Sequence, residues 1–225
     1  MDEAKGLIIT GIVTLLILGG GIFFLTKGNG QTTATPKPVN PAILIDSNSH
    51  QTNPGANVTI VEFGDYRCPA CKAAFPAAQQ VIKDYGTKIN FVFRNYPFLP
   101  DSATNSNPTA STLAANAAEC AADLGKFWEM HDWFYENQPD ETNIKMYNVD
   151  DITKAAGTLG MDTTKFKVCL STKSDNARVQ SDYAAGQEAG VTGTPSFFIN
   201  GSLLPGVPSY QDFKSILDQL LSQKK

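Results

Sequence analysis

Concentrated positive charge is missing from this sequence. Lys and Arg number 18 against 22 Asp and Glu, the formal net charge is -4, and no Lys/Arg cluster offsets that balance, so nucleic acid is not expected as a partner. Histidine is scarcer still, with two residues. His50 lies in a linker-like approach and carries no signal. His131 falls in Phe127-Trp128-Glu129-Met130-His131-Asp132-Trp133-Phe134, where aromatics recur at helical spacing, so a packed or capping helix residue is expected there rather than a base or a zinc ligand. Cysteine is limited to four. Structural zinc sites that use four thiolates present two close-spaced pairs, whereas Cys120 and Cys169 are each isolated, which makes a structural zinc-binding module the weaker, different-class alternative. No metal is expected. There is no internal repeat and no separate dimerisation domain.

Long hydrophobic runs are also few, and the one present stands at the start. Leu7 to Leu25 carries no charged side chain and approaches the roughly 20 residues that a bilayer-spanning helix needs. A membrane anchor is the expectation over residues 1–27. A cleavable signal peptide is the rival, but its apolar region is shorter, and Thr32-Thr33-Ala34 makes a poor small-residue cleavage site. Gly19, Gly20 and Gly21 weaken a helix in water yet are commoner in membranes. With Lys5 on one side and Lys27 and Lys37 on the other, the positive-inside rule gives no orientation. Gly28 to Pro41 is polar, rich in Thr, Gly and Pro, and without apolar period, which reads as a tether. The boundaries expected are an anchor over 1–27, a flexible linker over 28–52, and one globular domain over 53–225. The 42% hydrophobic content suits that size.

Within the domain, Val58 to Phe63 and Ile89 to Phe93 read as strands on either side of an alanine-rich helix from about Pro69 to Tyr85, a βαβ unit. Ser196 to Ile199 and Ser202 to Leu204 flank Asn200-Gly201, a strong hairpin signal. A last helix is predicted over about 210–221, with Phe213, Ile216, Leu217, Leu220 and Leu221 at helical spacing. Between these halves, about 108–190 shows helix signals and no convincing strand. Pro108 suits a first helical turn, Gly125 and Gly160 suit helix ends, and Asn148 or Asp150 suits a cap.

Cys68-Pro69-Ala70-Cys71 sits where the first strand gives way to the helix. Two cysteines at that spacing can close a small disulfide ring, and a helix N-terminus stabilises a thiolate on the first sulfur. A thiol near pKa 8.5 is only a few per cent ionised at neutral pH, so lowering it by about two units makes the nucleophile predominate. Thiol-disulfide exchange is the chemistry expected, with Cys68 as nucleophile and Cys71 turned inward.

The stretch Val61 to Cys71 resembles the active-site entry of thioredoxin-fold proteins, specifically the DsbA-like thiol:disulfide oxidoreductases. Val191-Thr192-Gly193-Thr194-Pro195-Ser196-Phe197-Phe198-Ile199 is similar to that superfamily's cis-proline segment. Lys126-Phe127-Trp128-Glu129-Met130-His131-Asp132 is similar to a helix of DsbA-like insertions, and Pro76 stands where thioredoxins carry a helix-kinking proline. The match spans about 53–221. It implies an α/β thioredoxin fold with an inserted helical subdomain, here preceded by one transmembrane helix. The insertion is implied to cover the active-site face and shape a groove for extended chains; Phe98, Trp128 and Trp133 are candidates to line it, with core packing the stronger expectation for the tryptophans.

The resemblance also carries roles. Thr194 and Pro195 lie against the cysteine pair and offer a backbone edge to substrate main chain; taken alone, Gly193-Thr194-Pro195 is a turn entering a strand. Glu62, six residues before Cys68, matches the buried acid that relays protons to Cys71; otherwise it is an ordinary strand carboxylate. Cys120 and Cys169 are expected to pair as a structural disulfide, the alternatives being two buried free thiols or a second redox pair. Ala70 is a departure, because strongly oxidising members often carry His there, and it leaves the direction open between oxidase and reductase or isomerase. No diffusible cofactor is implied. The expected partners are cysteine-containing polypeptides and an integral-membrane quinone-linked reoxidant, with the chain a monomer at the cell membrane and its catalytic domain on the extracytoplasmic side.

Overall fold

The β-branched run Val58–Gly64 forms the central strand, β2, of a five-stranded sheet in the computed structural model. The structure describes residues 38–99, 110–139, 148–172 and 176–223. A two-residue strand, β1 (His50–Gln51), precedes β2 in the chain and β3 (Ile89–Asn95) follows; both lie on one side of it in the sheet, and β4 (Ser196–Ile199) and β5 (Ser202–Leu204) lie on the other, in the order β1-β3-β2-β4-β5. β2 pairs parallel with β3 and antiparallel with β4. Every residue of β2 except Thr59 is buried, as expected of a strand covered on both faces.

The alternation of side chains along β2 decides what meets what. Val58 and Ile60 pack with Ala74, Ala78 and Val81 of helix α2 (Pro69–Tyr85) and with Phe213 and Leu217 of the C-terminal helix (Tyr210–Ser222). Glu62 shares their parity and so shares that face. Val61 and Phe63, of opposite parity, pack with Leu44, Val92, Tyr96 and Phe198. Leu44 belongs to helix α1 (Pro41–Leu44). The α1 and β1 elements occupy a stretch expected as linker: Val39 donates from its backbone to Gly201 O at 2.8 Å, and Thr52 to Phe91 O at 2.9 Å.

Among the described residues five α-helices lie between β3 and β4, namely α3 (Ala110–Asp123), α4 (Phe127–Glu136), α5 (Val149–Thr158), α6 (Thr163–Thr172) and α7 (Ala177–Glu188). Their ends follow local chemistry. Asn148 caps α5 by accepting from Asp151 N at 2.9 Å, and Gly125 and Gly160 take positive φ just beyond α3 and α5. The expected helix start at Pro108 lies outside the described residues. The C-terminal helix, α8, opens on a capping box between Ser209 and Asp212. Asn200 and Gly201 both have positive φ, the geometry of a two-residue hairpin between β4 and β5.

The helical insertion has its own core of Ala114, Ala117, Ala118, Met130, Phe134, Ile152 and Phe166, and that core runs without interruption to Tyr66, Cys68, Cys71 and Phe93. This is a thioredoxin-fold sheet with a helical insertion between β3 and β4. Among the described residues no helix is long and apolar enough to cross a membrane; the apolar run Leu7 to Leu25, and with it the expected anchor, lies outside them.

Candidate active site

The strand-to-helix turn after β2 sets the cysteines. β2 ends at Gly64, a position that takes glycine because a methyl group there would sit 2.5 Å from the Phe93 ring and 2.8 Å from the Tyr135 hydroxyl. Asp65 then organises the turn: its carboxylate accepts from Arg67 N at 2.9 Å, an Asx turn, and from Phe98 N and Leu99 N at 2.9 and 3.0 Å, while its carbonyl accepts from Cys68 N at 2.9 Å. Cys68 is the N-cap of α2 with extended backbone, and Pro69 takes the first helical position, where a missing N–H costs nothing.

Cys68 and Cys71 are free thiols and differ in environment. Cys71 is fully buried; Cys68 keeps 7% exposure. The Cys68 thiol is pulled down to about 6, first by hydrogen bonding from the Cys71 thiol, with further help from Thr194 and the backbone N–H groups of Cys71 and Ala70, against the cost of burial. Burial pushes the Cys71 thiol well up, aided by its hydrogen bond to Cys68 and by the charge of Glu62. One sulfur is therefore prepared as an anion and the other is held protonated.

The chain returns to this site 126 residues later. Cys68 Sγ donates to Thr194 O at 3.2 Å, and the Thr194–Pro195 peptide is cis. As a thiolate the sulfur no longer donates. The buried Thr194 hydroxyl, which has no other hydrogen-bond partner among the described residues, is then a donor available to the anion. Glu62 is buried on the α2 face of the sheet, and burial raises its carboxyl to about 8, with the Cys68 charge adding to the effect. It is a protonated acid at neutral pH.

Cys120 and Cys169 are bonded to each other and tie α3 to α6, with Cα atoms 5.8 Å apart. Their sulfurs offer no thiolates to a metal, and no group of three or more His, Cys, Asp or Glu is placed to hold an ion among the described residues. His131 is buried among rings of Phe93, Trp128 and Tyr135, and its Nδ1 is 2.9 Å from Asp132 Oδ1; burial lowers its basicity. Trp128 and Trp133 pack against the cores, while Phe98 is 44% exposed and stacks on Tyr96. His50, which carries no signal in the sequence, stacks on Phe127 at 3.4 Å and meets the buried Glu119 at 2.9 Å.

Two site residues escape sequence reasoning. Asp65 leaves a trace, since Asp two residues before a turn amide is a recognised local pattern. Gln138 leaves none. It is buried after α4, and its side-chain amide donates to Tyr66 O at 2.7 Å and Cys68 O at 3.0 Å.

Comparison with known proteins agrees with this geometry. The family model described as thioredoxin matches residues 46–219. The chain is similar to disulfide bond formation protein D of Bacillus subtilis, 29% identical over 177 residues that make up 75% of each protein. It is also 38% identical over 146 residues to the Na(+)/H(+) antiporter NhaA 3 of Salinispora tropica, covering 65% of this chain. The chain spans only about a fifth of that antiporter's length, the match covering 20% of it. Among solved structures, a thioredoxin-like oxidoreductase from Silicibacter pomeroyi superposes with a TM-score of 0.67 at 27% identity, covering 82% of this chain and 99% of the other. The chain belongs to the thioredoxin family, whose model spans most of the globular domain.

Proposed function

We propose that this protein is a membrane-tethered oxidase that introduces disulfides into cysteine-containing polypeptides on the extracytoplasmic side of the membrane, using Cys68 and Cys71. The observation that carries the reading is the asymmetry of the pair, an anion-stabilised Cys68 against a buried, protonated Cys71. In the oxidised enzyme a substrate thiolate attacks Cys68 Sγ and breaks the Cys68–Cys71 bond. Cys71 departs and takes a proton, for which the raised carboxyl of Glu62 is the source. A second substrate thiolate then attacks the substrate sulfur of the mixed disulfide and expels Cys68 as a thiolate. The substrate gains a disulfide, and its two electrons remain on the enzyme as one thiolate and one thiol.

At pH 7 a thiol of pKa about 6 is ionised roughly tenfold over its neutral form. That ionisation favours the reduced enzyme, and so the oxidising direction, by about 1 kcal/mol once solvent screening is allowed for, on the order of 20 mV. Thr194 presents the backbone edge along which substrate main chain pairs, with Pro195 fixing that edge. Turnover requires an acceptor for the electrons, and an integral-membrane quinone-linked partner fits a site at the bilayer. Residues 1–27 form the anchor. The tether is shorter than the sequence alone suggests, because Val39 and Leu44 are packed on the sheet. The Cys120–Cys169 bond is structural, and the chain acts as a monomer.

Disulfide reduction at the same pair is the second reading, favoured by Ala70 in place of the His of strongly oxidising relatives. Redox titration of the full chain against glutathione, with thiol trapping of Cys68 and Cys71, separates the two. A potential toward the roughly -120 mV of a strong oxidant is expected; one near the roughly -270 mV of thioredoxin would reverse the direction.

A further inference from the structure

The side-chain amide of a glutamine has two N–H donors, and Gln138 directs its amide to two carbonyls on either side of Arg67, those of Tyr66 and Cys68. The residue is itself pinned. Lys72, one position after Cys71, donates from Nζ to the Gln138 carbonyl at 2.7 Å, and Gln138 is 5% exposed. The Cys68 carbonyl also accepts Lys72 N at 3.1 Å, in the first turn of α2. The end of α4 and the start of α2 are thus stapled in both directions, across about 70 residues of sequence.

We propose that Gln138 is a positioning residue for the redox pair: from the helical insertion it fixes the peptide planes of Tyr66 and Cys68, keeps the backbone amides that open α2 turned on the Cys68 sulfur, and so favours the reduced enzyme over the disulfide. The physical reason is the cost of the alternative. Two carbonyls left without this buried donor would each lose a hydrogen bond, and the chain recovers part of that loss by rotating those planes. The same rotation carries the Ala70 and Cys71 N–H groups, which support the thiolate, away from it. The disulfide, being neutral, does not need them.

This inference rests on Cys68 being the redox nucleophile. The test uses the full chain and two readings, the pH midpoint of Cys68 alkylation by iodoacetamide and the equilibrium of the pair with glutathione. Gln138→Met keeps the length of the side chain and removes its donors. It is expected to raise the alkylation midpoint by about one pH unit and to shift the glutathione equilibrium roughly fivefold toward the disulfide, making the enzyme less oxidising. If that variant does not fold, Gln138→Asn, one methylene too short to bridge both carbonyls, takes its place with a smaller shift in the same direction. A folded variant with the parent's midpoint and equilibrium overturns the proposal, whether or not its thermal stability falls. A parent that does not equilibrate with glutathione through Cys68 and Cys71 removes the proposed function, and this inference with it.

Discussion

Glu62 enters the fold as an acid and stays one, and the pH dependence of stability follows from that. Its carboxyl rises from an unfolded value of 4.5 to about 8 in the folded chain, chiefly through burial. Between these values the unfolded chain has released a proton that the native chain retains, so native stability falls as pH rises. With Cys68 and Cys71 oxidised, neither sulfur titrates. The unfolding free energy of the oxidised parent is then expected to fall from about pH 5 to 8 relative to that of Glu62→Gln, by at most ~1.4 kcal/mol per pH unit, and its melting temperature with it. Parallel melting curves for the two proteins across that range would show that Glu62 is not held neutral. Glu62 is legible in the sequence by its spacing, six residues before Cys68, and strand parity in the structure places it with Val58 and Ile60, facing the helix that carries the cysteines. Gln138 is not, since its partners are backbone carbonyls, which every residue has and no side-chain pattern reveals.

At the scale of elements, the helices of the insertion were legible by their punctuation, Gly125, Asn148 and Gly160 marking ends that the structure places there. The β1 strand and α1 helix were not. Two and four residues are too few to show a period, and both are held by distant groups. Arg94 of β3 illustrates this: it is buried, ion-paired with Asp182 of α7, and donates to Leu44 O at the end of α1 at 2.9 Å. The Cys120–Cys169 bond closes a loop with a sequence separation of 49 residues inside the insertion. Loop-closure entropy assigns about 4 kcal/mol to such a link. Replacing both residues with alanine is expected to lower unfolding free energy by about that amount in urea titration, while leaving the Cys68 alkylation midpoint in place. A moved midpoint would make the second disulfide a tuner of the first.

For the whole molecule, the arrangement of an apolar N-terminal run, a polar stretch and a thioredoxin-fold domain yields a direct prediction about fractionation. The full chain is expected to sediment with membranes and resist alkaline carbonate extraction, and removal of residues 1–37 is expected to release an active domain. Extraction of the full chain by carbonate would remove the anchor from the proposal. The antiporter relatives carry a similar stretch in a protein several times its length, the match spanning 20% of one of them.

Cys68 and Thr194 meet across 126 residues of sequence. A ribosome extending a chain at roughly 5–20 residues per second needs roughly 6–25 s to cover that separation. During that interval Cys68 lacks the segment that carries Thr194, just before β4, and part of what makes its sulfur an anion is still unmade. A nascent copy therefore bears a Cys68 thiol of more ordinary reactivity until the Thr194 segment has emerged. Emergence of that late segment is what completes the surroundings of the Cys68 sulfur.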